Sequence, residues 1–200
     1  MLYLIRHGEA EGNAEGRVMG QLDLPLTTRG REEAEALGAW CTAQGISFTA
    51  VFTSDLARAR DTAAILATAT RSPTPLVRTD LREVGRGQLE GMTYAEAAAL
   101  RSAALGLEPE ASVTSRIARV ARELRRAALH GPVAAVGHGG SLARLLRFYL
   151  GLRPEPGHGE FGFSLANTGV SILDFQPPRP NVHAINALPH LPGWRPRARR

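Results

Sequence analysis

The chain has 200 residues, 44% hydrophobic and 22% charged, which suits a single globular domain. All 24 basic residues are arginine, so lysine Schiff-base and P-loop lysine chemistry are excluded and anion recognition falls to Arg, His and backbone amides. Cys41 is the only cysteine, so no intrachain disulfide can form, and the net charge of +5 fits a protein that attracts phosphorylated substrates.

Strands and helices are predicted to alternate. Leu2 to Ile5 is a short apolar run, read as a buried strand. A polar loop follows from His7 to Leu26. Thr28 to Gln44 has helical spacing, with Ala34, Leu37, Trp40 and Cys41 on one face and Gly45 as its stop. Ala50 to Thr53 is a second strand, and Ser54 is expected to cap a helix running to about Thr68. Leu76 to Arg78 is a weak third strand. Thr93-Tyr-Ala-Glu96 reads as a capping box that opens a helix. A further helix is expected from Ser112 to Leu129, with Val113, Ile117, Val120 and Leu124 inward and its arginines outward. Val133 to Val136 is the clearest buried strand, and Leu142 to Leu150 is helical. Val170 to Phe175 and Val182 to Ile185 are late strands. Residues 1–188 are expected to form one domain, and the Pro- and Arg-rich stretch 189–200 a disordered, solvated tail. The alternation predicts an α/β fold with a mostly parallel central sheet and helices on both faces.

In such a sheet, ligands bind beyond the carboxyl ends of the strands. Polar residues stand there repeatedly: Arg6-His-Gly-Glu9 after the first strand, Ser54-Asp55 and Arg58 after the second, Leu81-Arg-Glu83 after the third, and Gly137-His-Gly-Gly140 after the late strand. Two imidazoles, two guanidiniums and one carboxylate can therefore share a pocket. Guanidinium forks match phosphate oxygens, and the helix N-termini after Ser54 and Gly139 are expected to add backbone donors. His130, His158, His183 and His190 lack that setting and receive no role.

Together these blocks resemble the histidine phosphatase superfamily, also called phosphoglycerate mutase-like. The opening Leu4-Ile-Arg-His-Gly-Glu9 with Asn13, the Asp23-to-Thr27 block with Gly30, the Phe52-to-Ala63 block, Leu81-Arg-Glu83 with Glu90-Gly91, and Val136-Gly-His-Gly-Gly140 occur in the family's order. The resemblance implies a three-layer α/β/α sandwich and a phosphoryl group carried on His7. It also implies that Arg6, Arg58 and His138 hold the phosphate, with Asn13 and Gly139 beside it, and that Glu83 is the proton donor. Ala10, Arg86 and Leu89 depart from the family's usual residues. Arg17, Gln21, Arg86 and Leu89 are candidates for the substrate mouth.

His7 must be neutral to attack phosphorus, and the surrounding cations favour that form. A backbone carbonyl on its other nitrogen would fix the tautomer. Glu83 beside a phosphate dianion is suited to protonate the leaving alkoxide. The expected activity is a metal-independent phosphomonoesterase acting on a small phosphorylated metabolite. A cofactor-dependent phosphoglycerate mutase is the alternative, and a non-catalytic phosphate-binding protein the next. The stretch from Gly91 to Ser112 is short and Ala-rich, with Arg101 as its only basic residue, which favours an open pocket and hydrolysis. A metal hydrolase using His7, Glu9 and His138 is disfavoured, because no His-x-His or His-Glu-x-x-His spacing occurs, and no metal or cofactor is expected. No nucleic acid or membrane partner is expected; a cytoplasmic location is. A homodimer is compatible with the residues, which specify neither oligomeric state nor substrate.

Overall fold

The computed structural model describes residues 1–100, 106–152, 162–176 and 180–193; Arg101, His158 and the arginines of 195–200 lie outside them. Six strands form one sheet: β1 (Leu2–Arg6), β2 (Ala50–Thr53), β3 (Leu76–Val77), β4 (Val133–Gly137), β5 (Val170–Asp174) and β6 (Asn181–Ala187), in the order β3-β2-β4-β1-β5-β6. The first four in that order run parallel, while β5 is antiparallel to both neighbours. The helices are α1 (Glu11–Ala14), α2 (Thr28–Ala43), α3 (Ala57–Ala69), α4 (Tyr94–Leu100), α5 (Glu110–Ala128) and α6 (Gly139–Leu150), with 3₁₀ turns at Thr79–Leu81 and Gly87–Leu89.

The strand period of two builds the layers. In β1, Leu2 and Leu4 pack with Val113, Ile117, Val120 and Leu124 of α5 and Leu142 and Leu145 of α6. Tyr3 and Ile5 face the other way, against Leu37 and Cys41 of α2 and Ala59, Ala63 and Leu66 of α3. The result is the expected α/β/α sandwich. Each leucine taken fully out of water contributes about 1.5–3 kcal/mol. Small residues bring α2 and α3 close: a Cβ at Gly38 would lie 2.6 Å from that of Ala69.

Local structure departs from expectation at four places. Asn13 Oδ1 accepts from the Ala10 amide (3.1 Å) and winds part of the first loop into α1. Helix α3 begins three residues after Ser54, whose hydroxyl accepts instead from the Leu56 amide within the preceding turn (3.2 Å). Arg116 does not point outward with the other arginines of α5 but is buried, at 8% exposure. Residues 189–193 include a turn, and His190 Nε2 meets Thr168 Oγ1 at 2.9 Å. Among the described residues no helix is long and apolar enough to cross a membrane.

Candidate active site

Strand register places the two histidines side by side. Arg6 pairs with Gly137 across β1 and β4, so His7 and His138 leave adjacent parallel strands at the same level. The His7 amide donates to Gly137 O (3.0 Å), and the ring centroids are 5.1 Å apart. On the other side of β4, Thr53 pairs with Val136, and the chain rises from there into α3, which carries Arg58.

His7 is 1% exposed. Its Nδ1 lies 2.7 Å from Gly8 O; because a carbonyl only accepts, Nδ1 carries the hydrogen and Nε2 keeps the lone pair. The loop that holds the ring is pinned from several sides. Thr62 Oγ1 accepts from the Gly8 amide (3.1 Å) and donates to Arg58 O (2.7 Å). Asn167 Nδ2 donates to His7 O (3.0 Å) and to Asn13 Oδ1 (3.2 Å), and Glu33 accepts from the Glu9 amide (3.0 Å). Burial, then Arg58 and Arg6, hold the His7 pKa well below the ordinary 6.5. His138 is likewise depressed by burial, with His7, Arg58 and Arg6 adding to the effect.

Arg58 has no exposed surface. Its Nη1 donates to Leu22 O (2.6 Å) and Nη2 to Gly20 O (2.8 Å), while Nε has no partner. Arg6 Nη1 donates to Leu165 O (2.5 Å), and its Nε is also unpartnered. Both ring nitrogens of His138 are buried without a hydrogen bond. Uncompensated buried polar groups are costly and rare, so four of them beside one histidine mark a place built to receive hydrogen-bonding atoms. Two buried guanidiniums among these donors specify an anion. Gly139 adjoins them, since a Cβ there would stand 3.7 Å from Arg6 Nε.

Glu83 joins the group from the other side. Its Oε2 accepts from the Gly140 amide (2.9 Å), and Oε1 from Ser141 (3.0 Å) and Val84 (2.8 Å). The carboxylate lies within electrostatic reach of both Arg6 and Arg58. At the N-terminus of α6, where the sequence predicts donors to a ligand, Glu83 takes the Gly140 and Ser141 amides. At α3 the Ala57 amide similarly donates to Asp23 Oδ1 (2.6 Å). Neither end was legible, because each acceptor comes from a remote part of the chain. Glu83 does not pair with Arg82, whose guanidinium grips Asp55.

The mouth candidates divide. Gln21 reaches the group through Nε2 to Glu83 O (3.1 Å). Arg17 is tied to Glu15 Oε2 (2.7 Å) and Gly91 O (2.9 Å), bracing two loops together. The Arg86 amide donates to Glu90 Oε1 (2.8 Å), which also accepts from the Gln21 amide (2.9 Å). Leu89 is buried, at 7% exposure. Tyr94, missed in the sequence, is 58% exposed and lies within electrostatic reach of Arg6. Glu9 turns away from the histidines: Thr27 Oγ1 donates to its Oε1 at 2.9 Å and Arg29 stands 3.7 Å from its Oε2. Among the described residues, no three of His, Cys, Asp and Glu gather as metal ligands would.

Comparison with known proteins agrees with this fold. A probable phosphoglycerate mutase GpmB from Yersinia enterocolitica is 34% identical over 190 residues, covering 88% of this chain and 85% of that one. A mycobacterial glucosyl-3-phosphoglycerate phosphatase is similar in structure, with a TM-score of 0.76 and 30% identity over 93% of this chain and 98% of its own. A phosphoserine phosphatase from Entamoeba histolytica gives a TM-score of 0.76 and 25% identity over 95% and 98% of the two chains. The sequence profile of the histidine phosphatase superfamily (branch 1) matches residues 2–188, and the chain belongs to that superfamily.

Proposed function

We propose that this protein is a metal-independent phosphomonoesterase that hydrolyses a small phosphorylated metabolite through a phosphohistidine on His7. The observation that carries the reading is the set of unpartnered buried nitrogens on Arg6, Arg58 and His138 beside an imidazole whose Nδ1–H is locked on Gly8 O.

Neutral His7 attacks phosphorus through Nε2, and the P–O bond to the leaving group breaks. A loose phosphoryl-transfer transition state spreads charge over three equatorial oxygens, which Arg6 and Arg58 neutralise while His138 donates a hydrogen bond. Glu83 hands a proton to the departing alkoxide, then takes one from the water that hydrolyses the phosphohistidine. Asn13 and Gly139 border the phosphate. The path uses no group beyond the chain's own side chains and water.

The mutase reading draws on the relative named a probable phosphoglycerate mutase. Against it stands a chain with no lysine and a short segment after Glu83, which favour admission of water over retention of the phosphoenzyme. Phosphate release across a panel of phosphomonoesters, run beside a phosphoglycerate isomerisation assay, separates the two. Release without isomerisation is expected. His7→Ala is expected to abolish turnover and acid-labile phosphoenzyme; trapping of labelled phosphate on that variant would refute the nucleophile.

A further inference from the structure

The segment that carries Glu83 is held from behind by a part-buried ion pair, Arg116 with Glu108. Arg116, in the middle of α5, aims its guanidinium at three main-chain carbonyls of that segment: Nη1 to Asp80 O (2.9 Å) and Arg82 O (2.7 Å), Nη2 to Glu83 O (3.1 Å). The remaining donors grip Glu108, with Nε on Oε1 at 2.7 Å and Nη2 on Oε2 at 2.8 Å. Glu108 Oε2 in turn accepts from the Gly85 amide (2.9 Å), just past Glu83. The side chains of the pair are 9% and 16% exposed.

We propose that Arg116 and Glu108 are positioning residues, which fix the backbone on both sides of Glu83 so that its carboxyl faces the leaving group. The inference rests on the phosphatase reading and extends it to residues that touch no substrate. The geometry demands such a device. Residues 82–85 contain no regular element, and Gly85 interrupts them. The Arg82 and Glu83 carbonyls point into the protein and need donors there. One planar guanidinium supplies several in fixed directions, which an ammonium cannot match. A general acid displaced by about 1 Å loses much of its effect, because proton transfer requires hydrogen-bond reach of the leaving oxygen.

This role makes a prediction that simple stabilisation does not. A proton donor matters for a basic leaving group and little for a good one. Phenyl phosphate releases a phenol with a pKa of about 10, as for tyrosine; p-nitrophenyl phosphate has almost the same shape but releases a far less basic phenolate. We expect Arg116→Met to lower kcat/KM for phenyl phosphate by about 10-fold, a fraction of the full effect of a general acid, with p-nitrophenyl phosphate changed by less than about 2-fold. Arg116→Lys should restore part of the difference. Glu108→Gln, nearly isosteric and the measurement to rely on if Arg116→Met does not fold, should shift the ratio the same way. In a Glu83→Gln background the ratio should move no further. Equal losses on both substrates in folded variants, no loss on either, or a full further shift in the Glu83→Gln background would overturn the positioning role while leaving the phosphatase reading intact. A wild-type chain that hydrolyses neither ester would overturn that reading and this inference with it.

Discussion

The contact between His7 Nδ1 and Gly8 O sets the tautomer, and the surroundings set the charge. An imidazole taken out of water beside two guanidiniums is disfavoured as a cation by burial and by charge, and both act in the same direction here. The ring therefore holds its nucleophilic lone pair at pH values where an exposed histidine has lost it. His138 follows the same logic, so in the free protein both rings should stay neutral as pH falls through 6.5. The measurement is an NMR titration of the imidazole C–H resonances, assigned with His7→Gln and His138→Gln. Neither is expected to shift between about pH 8 and about pH 5.5. Midpoints near 6.5 for His7 and His138 would contradict the neutral-nucleophile argument. Much of this site was legible residue by residue, because Arg6, His7 and His138 lie within one position of a strand end, where local pattern is most informative. Thr62, Asp23 and Arg116 were not, since nothing local distinguishes a threonine that braces Gly8 from one that faces solvent.

Elements were legible where burial on both sides imposes a continuous apolar run. Strand β4 is buried at every position and was readable nearly to its ends, as was the inward stripe of α5. The misplaced start of α3 and the occupied N-terminus of α6 share one cause: helix ends are completed by carboxylates from distant segments, Asp23 and Glu83, so the nearest hydroxyl is a poor guide. The loop after β1 is held by a backbone crossing with no room for side chains. A Cβ on Gly8 would come within 2.3 Å of Gly30 O, and one on Gly30 within 2.0 Å of Glu9 O. The atoms in the way are backbone, and Glu9 O already accepts from the Thr27 amide at 2.9 Å, so they have little freedom to retreat. Gly30→Ala should therefore destabilise the protein by about 1–3 kcal/mol despite the better helix propensity of alanine. Urea denaturation reads that change directly. A variant as stable as wild type would show that the crossing can open.

At the scale of the whole molecule, ionic links from remote parts of the chain converge on the segment that carries Glu83. Arg119 of α5 pairs with Asp80, Arg82 with Asp55 beyond the end of β2, and Arg116 with Glu108, so sheet and helices are joined through the loop that presents the carboxyl. Such an arrangement sums contacts far apart in the sequence, which is why it could not be read from any window of it. It also makes fold stability sensitive to acid in two separable stages. Unfolding releases His7, His138 and His190 to bind protons they reject when folded; burial depresses all three, His190 to about 4. Because the unfolded chain then binds more protons, stability should begin to fall as pH drops below about 6.5. The carboxylates act lower down. Asp55 is depressed chiefly by its hydrogen bonds with Arg82; at Glu108 burial pushes upward but is outweighed by Arg116 and the Gly85 amide. Their contribution is complete above the ordinary values of 3.8 and 4.5 and is lost as pH falls through the lower folded ones. The double variant Asp55→Asn, Glu108→Gln should thus be less stable than wild type at pH 7, keep the loss that begins near 6.5, and show a shallower decline below about 4.5. Melting temperatures measured from neutral pH down to about 3 test this; parallel curves for the two proteins below 4.5 would show that these ion pairs add nothing to the fold.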